Sequence, residues 1–198
     1  MITCGMELDN CRSVVDIHMR SFRGFFLTFM GRPFLNLFYG ATLADPSGVA
    51  YVARDESKIS GFVCGTTEPD GFYKRLLKNH LLGFFWASLQ GFLRKPSILP
   101  RLLRAFSMPG QPLPAENCAT LMSIAVDPDC QGQGVGKLLV SAFLDEVKVR
   151  GSQYVNLTTD AADNEGTNHF YQSIGFELFR SYSTPEGRAM NEYLIKLR

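Results

Sequence analysis

Residues 127–147 read DPDCQGQGVGKLLVSAFLDEV, and three glycines stand at alternate positions in this stretch: Gly132, Gly134 and Gly136. The run before them, ATLMSIAV (119–126), is short and apolar, which predicts a strand. The run after them is leucine-rich and amphipathic, which predicts a helix to about Arg150. Glycine lets a backbone turn its N–H groups toward a ligand and approach it closely. The first turn of a helix adds free N–H groups and a partial positive charge. Strand, glycines and helix together predict a cradle for a phosphate, and most directly a pyrophosphate.

The spacing excludes two common nucleotide loops. A Walker loop needs glycine at 131 and Ser or Thr after Lys137; the chain has Gln131 and Leu138. A dinucleotide fingerprint needs a third glycine at 137, which is Lys. What remains is Gln131-x-x-Gly134-x-Gly136, preceded by Val126-Asp127-Pro128. A second pattern lies downstream in DNEGTNHFYQSIGF (163–176). There Asn164 stands seven residues before Tyr171, Phe170 precedes Tyr171, and Gly175-Phe176 closes the segment.

In these two motifs, in this order, the chain resembles the GNAT family of N-acetyltransferases, which move acetyl from acetyl-CoA to an amine. The resemblance is close over about 117–182, looser over the N-terminal helices and hairpin, and absent from 70–115. It implies that Gln131, Gly132, Gln133, Gly134, Val135, Gly136 and Lys137 hold the pyrophosphate of acetyl-CoA. It implies that the strand residues Ile124, Ala125 and Val126 lend their main chain to the pantetheine arm, in a gap where two strands splay. Asn164 is then a partner of the pantetheine, and Tyr171 the group that protonates the departing sulfur. The family's acidic position on the strand corresponds to Thr120, so no base carries over directly. Glu116 and Ser123 are the first alternatives, with Glu68 and Asp160 behind them.

Around these motifs the pattern reads as one mixed α/β (α+β) domain spanning 1–198, with a mostly antiparallel sheet of six to seven strands flanked by helices. Ile2–Met6 predicts a strand. Asp9 predicts the N-cap of a helix to about Phe22, on whose apolar side His18 falls with Val14, Val15 and Ile17. Pro33 predicts a helix start. Alternating runs at 49–53 and 59–66 predict a hairpin. Beyond the glycine loop follow a strand at 153–159, a helix at 165–173, and strands at 176–182 and 189–197.

Between the third and fourth strands, about 70–115, lies a helical insertion predicted to break near Pro96 and Pro100. Its stretch 72–106 carries Lys74, Arg75, Lys78, Arg94, Lys95, Arg101 and Arg104 and no acid, although the whole chain is only +1. That near-neutral total argues against nucleic acid as a partner. The block leaves three readings open: a lid over an anionic acceptor, a peripheral membrane contact, or an extra helical layer or dimer contact. The longest apolar-leaning stretch, 81–93, falls short of the ~20 residues that span a bilayer. Five cysteines without metal-ligand spacing predict reduced thiols in a cytoplasmic protein and no metal site. The resemblance to the GNAT family, taken with this basic block, implies acetyl transfer to the primary amine of a small acceptor, such as an amino sugar or a nucleotide-linked amino sugar, by a monomer or homodimer. The alternatives are a non-catalytic CoA-binding or membrane-docking module and an acetyltransferase of protein N-termini.

Overall fold

The computed structural model describes residues 1–55, 58–94, 113–185 and 187–197. Its elements run β1 (Ile2–Gly5), α1 (Cys11–Ser21), α2 (Phe26–Met30), α3 (Arg32–Ala44), β2 (Gly48–Asp55), β3 (Lys58–Thr66), α4 (Phe72–Arg94), β4 (Cys118–Val126), α5 (Val135–Val149), β5 (Tyr154–Asp160), α6 (Glu165–Ser173), β6 (Glu177–Ser183) and β7 (Ala189–Lys196). The seven strands form one sheet in the order β1-β2-β3-β4-β5-β7-β6. Every pairing is antiparallel except β4 with β5.

Strand alternation sends side chains to two faces. Val52, Phe62 and Cys64 meet α1 and α3 through Val14, Phe34 and Tyr39 on one face. Ala53, Val63, Val155 and Leu157 meet Leu139, Phe143 and Val147 of α5 on the other. Pro33 does sit in the first turn of α3. Asp9 is not the N-cap of α1: residues 8–10 form a 3₁₀ turn and Asn10 precedes the helix. The Asn10 side chain turns back to accept the Glu7 amide at 2.9 Å.

The insertion opens with α4, which runs through a non-helical residue at His80. The breaks predicted at Pro96 and Pro100 lie outside the described residues. Part of the basic block is committed to holding α4 in place. Arg75 Nε donates to Asp45 at 3.2 Å, its Nη2 donates to Ser47 Oγ at 2.9 Å, and Glu68 lies 3.7 Å away. Leu81, Leu82, Phe85 and Trp86 of α4 are exposed. No helix among the described residues is long and apolar enough to cross a membrane.

Two irregularities of β4 shape the site. Opposite β3 the register steps from Cys64↔Ser123 to Gly65↔Leu121, so Met122 is an extra residue, a β-bulge that bends the strand. Opposite β5 the pairing covers only Cys118↔Tyr154, Ala119↔Val155 and Thr120↔Asn156, after which the two strands part. A polar line crosses four strands where they part. Thr120 Oγ1 donates to Asn156 Oδ1 at 2.6 Å, Asn156 Nδ2 donates to Glu192 Oε1 at 2.8 Å, and Arg180 Nε donates to Glu192 Oε2 at 2.6 Å.

Candidate active site

The parting of β4 and β5 opens a cavity of about 1070 Å³. Its lining brings together Ser123, Ile124, Ala125 and Val126 of β4, most of the glycine loop, Thr158–Asp160 of β5 and Asn164, Phe170 and Tyr171. The backbone of β4 has a side to spare here. Asp127 N–H donates to Ser60 O at 2.8 Å, so the alternation of an antiparallel ladder turns Ser123 and Ala125 toward β3 as well. Ile124 and Val126 therefore present their peptide groups to the gap. The Val126 carbonyl already accepts Ser21 Oγ of α1 at 3.3 Å.

The glycines act in two ways. Gly132 and Gly134 adopt φ of +76° and +78°, a region that side chains strain, and a Cβ on either would meet only open space. Their backbone is thus bare toward the outside. Gly136 is a packing glycine, because a Cβ there would lie 3.2 Å from the Phe170 ring. The root of the loop is tied down by Asp127, which accepts Asp129 N at 3.1 Å and pairs with Arg20 at 2.9 Å. Gln131, Gly132, Gly134, Val135, Gly136 and Lys137 all line the cavity; Gln133 is exposed beside it.

Asn164 begins α6, yet its side chain makes no cap. Its Nδ2 instead donates to Thr159 Oγ1 at 2.8 Å and to Asp160 O at 3.1 Å, fastening α6 to the end of β5. Tyr171 is buried between Phe170, Phe176 and Tyr193. Burial pushes its phenol up to about 12, so it keeps its proton at neutral pH. Its hydroxyl makes no hydrogen bond to a described residue and opens on the cavity.

The carboxylates considered as bases fare differently. Glu116 is exposed ahead of β4, about 30 Å of extended chain from the glycine loop, and does not line the cavity. Glu68 is exposed and pairs with Arg75 outside the cavity. Asp160 lines it, but both its oxygens accept Arg188 at 2.7 Å. Ser123 lines it.

The remaining wall belongs to α1, α3, α4 and the connection after α1: His18, Phe22, Phe25, Phe38 and Tyr73, with Arg188 at 5.5 Å over the Phe25 ring. Sequence reasoning gave His18 no role. The available signal was a histidine on the apolar side of α1. It is 3% exposed, and burial pulls its imidazole down to about 4, so it is neutral at pH 7. A depressed folded value makes this contribution to stability complete above the unfolded value of 6.5 and lost as pH falls toward 4. The expected loss is about 3 kcal/mol, read by denaturant unfolding across that range. The limb should shrink in His18→Phe.

The Acetyltransferase (GNAT) family model matches residues 11–176, most of the chain. The chain belongs to the GNAT acetyltransferase family. Over 74 residues it is 40% identical to the [ribosomal protein bS18]-alanine N-acetyltransferase of Escherichia coli strain K12. That stretch takes in 35% of this chain and 49% of the relative, so the match spans about half of that protein's length. The fold of this GNAT chain is similar to that of a protein assigned to the same family from Desulfovibrio desulfuricans, with a TM-score of 0.66, 14% identity, and coverage of 99% of this chain and 98% of that one. It is also similar to an aminoglycoside 6'-N-acetyltransferase solved with coenzyme A, with a TM-score of 0.64, 13% identity, and coverage of 100% and 98%.

The residues present fit acetyl-CoA, the co-substrate of GNAT enzymes. The bare amides at Gly132 and Gly134 and the first turn of α5 suit a pyrophosphate. The unpaired edge of β4 suits an extended arm with amides of its own.

Proposed function

We propose that this GNAT protein transfers acetyl from acetyl-CoA to the primary amine of a small acceptor. The observation that carries the reading is the parting of β4 and β5 above the glycine loop, with the Tyr171 hydroxyl opening on the same cavity. Bound acetyl-CoA supplies a thioester that the amine attacks at its carbonyl carbon. The chain's own groups then divide the work. Residues 131–137 hold the pyrophosphate on main-chain N–H groups, and Lys137 adds a charge. Ile124 and Val126 extend the sheet along the pantetheine, and Asn164 closes that side. Tyr171 holds the proton that goes to sulfur.

The acceptor wall narrows the choice of amine. Its surface is mainly aromatic, from Phe22, Phe25, Phe38 and Tyr73, with Arg188 at one side. Aromatic faces suit the flat apolar side of a sugar ring, whereas Arg188 is already paired with Asp160. An amino sugar, free or nucleotide-linked, is the acceptor class this wall favours.

Acetyl-CoA at 100 times its Kd should stabilise the native protein by about 2.7 kcal/mol, a rise of roughly 5–10 °C in Tm. Free thiol release is then followed with amino sugars, nucleotide sugars, polyamines and peptides. Release with the sugars alone supports the acceptor assignment, and release with peptides alone overturns it. No rise in Tm would sink the acetyl-CoA reading itself.

A further inference from the structure

A helix that is apolar all round is ordinarily covered all round. Helix α4 carries apolar residues on both sides, and only one side is covered. Phe72, Leu76 and Phe84 are buried, with Phe84 against the Phe34 ring of α3 at 5.2 Å between centroids. Gly83 lets the two helices approach, since a Cβ there would stand 3.0 Å from Leu37. On the other side Leu81 is 62% exposed, Leu82 75%, Phe85 58% and Trp86 67%. They fall in pairs four residues apart, so they form one patch across consecutive turns. The Phe85 and Trp86 rings meet edge to face at 5.7 Å. Single apolar residues scattered over a surface need no explanation, but a contiguous patch of large ones marks a binding face.

The charge around the patch narrows what it meets. Lys74 and Lys78 are exposed on the turns that lead into it. Helices α2, α3 and α4 pack on one another and contain no Asp or Glu, so all 19 acidic residues of the chain lie elsewhere. Asp45 and Glu68, near the start of α4, are engaged by Arg75. Helix α5, on the opposite face of the sheet, carries Asp145 and Glu146. Cations without interspersed acids are thus gathered on the side that bears the patch. This disfavours a second copy of the chain as occupant, because two such faces would meet with like charge. It suits an anionic bilayer, where apolar side chains and a tryptophan enter the headgroup boundary while lysines stay at the phosphates.

We propose that α4 is a docking face for an anionic lipid bilayer, with Leu81, Leu82, Phe85 and Trp86 entering the headgroup boundary and Lys74 and Lys78 meeting lipid phosphates. The protein then lies on the surface and does not span it. Part of the attraction is electrostatic, so the contact weakens as salt rises. Docking does not depend on acetyl transfer, but it bears on the cavity. Tyr73 of the same helix, about two turns before the patch, lines the cavity wall, so docking holds the cavity close to the lipid surface.

Trp86 is the chain's single tryptophan, so its fluorescence reports on the patch alone. On titration with vesicles of phosphatidylglycerol and phosphatidylcholine, its emission should move to shorter wavelength and lose access to acrylamide. Vesicles of phosphatidylcholine alone should bind at least about tenfold more weakly. Leu82→Gln should lower affinity for the mixed vesicles about tenfold, and Lys74→Gln combined with Lys78→Gln about thirtyfold. Both variants should keep the wild-type Tm, because all three residues are exposed. No spectral change with mixed vesicles, equal affinity for neutral and mixed vesicles, or wild-type affinity in both variants overturns the proposal. So does a Trp86 already shielded from acrylamide before lipid is added. Shielding that grows with protein concentration would mark a second copy as the occupant, and shielding at every concentration would mark the chain itself.

Discussion

Tyr171→Phe lowers kcat by about 10²–10⁴ and leaves acetyl-CoA binding and Tm essentially unchanged. The two halves of this expectation come from different parts of the residue. The ring packs among Phe170, Phe176 and Tyr193, and phenylalanine keeps all three contacts. The hydroxyl makes no hydrogen bond to a described residue, so removing it breaks no tie in the fold. What is lost is a proton that burial holds in place up to about pH 12. A leaving thiolate then departs without it. Steady-state kinetics, a Tm and an acetyl-CoA titration on one preparation read all three quantities. A kcat within threefold of wild type would remove Tyr171 from the chemistry and move attention to water as the proton source.

Gly65→Val should lower Tm by at least about 6 °C, or abolish folding, with activity lost in step. Gly65 sits on β3 opposite the bulge, where β4 and α5 both crowd the backbone. A Cβ there would lie 2.2 Å from the Thr120 carbonyl oxygen and 2.6 Å from the Phe143 ring. Neither neighbour can yield cheaply. Thr120 is fixed by its bond to Asn156, and Phe143 is wholly buried beneath the sheet. Overpacking of this kind typically costs about 1–3 kcal/mol, and a clash with strand backbone belongs at or above the upper end. Thermal unfolding followed by circular dichroism checks it. A Tm within about 2 °C of wild type, the range expected for a surface change, would show that β3 and β4 separate more easily here than the register implies.

Local chemistry made much of the fold legible. The glycine loop, α5 and α6 were readable because a left-handed turn and a 3.6-residue period are written in adjacent residues. The hairpin of β2 and β3 was readable from its period of two. The start of α1 was misread, because Asp9 looks like a cap and only the chain's path shows the 3₁₀ turn that displaces it. Glu116 looked like a base because it adjoins β4, but proximity along the chain put it at the wrong end of an extended strand. His18 was visible as a histidine on an apolar face. Its pairing with Tyr39 spans 21 residues and its contact with the cavity depends on α1 lying along β4, neither of which a local pattern encodes. The line from Thr120 through Asn156 and Glu192 to Arg180 likewise unites residues from four strands that no spacing relates.

The short seam between β4 and β5 has a consequence for how the molecule is assembled. Strands β1 to β4 come from residues before 127, and β5, β6 and β7 from residues after 153, so each side of the seam is a contiguous stretch of chain. Within them only the β2–β3 and β6–β7 hairpins pair locally; the other pairings join residues tens of positions apart. The groove belongs to neither stretch. It exists only once the two have met along three residue pairs and α5 has bridged them. Competence to bind therefore requires the two stretches to be joined, and a ligand that lies across the seam rewards the joined state over either stretch alone.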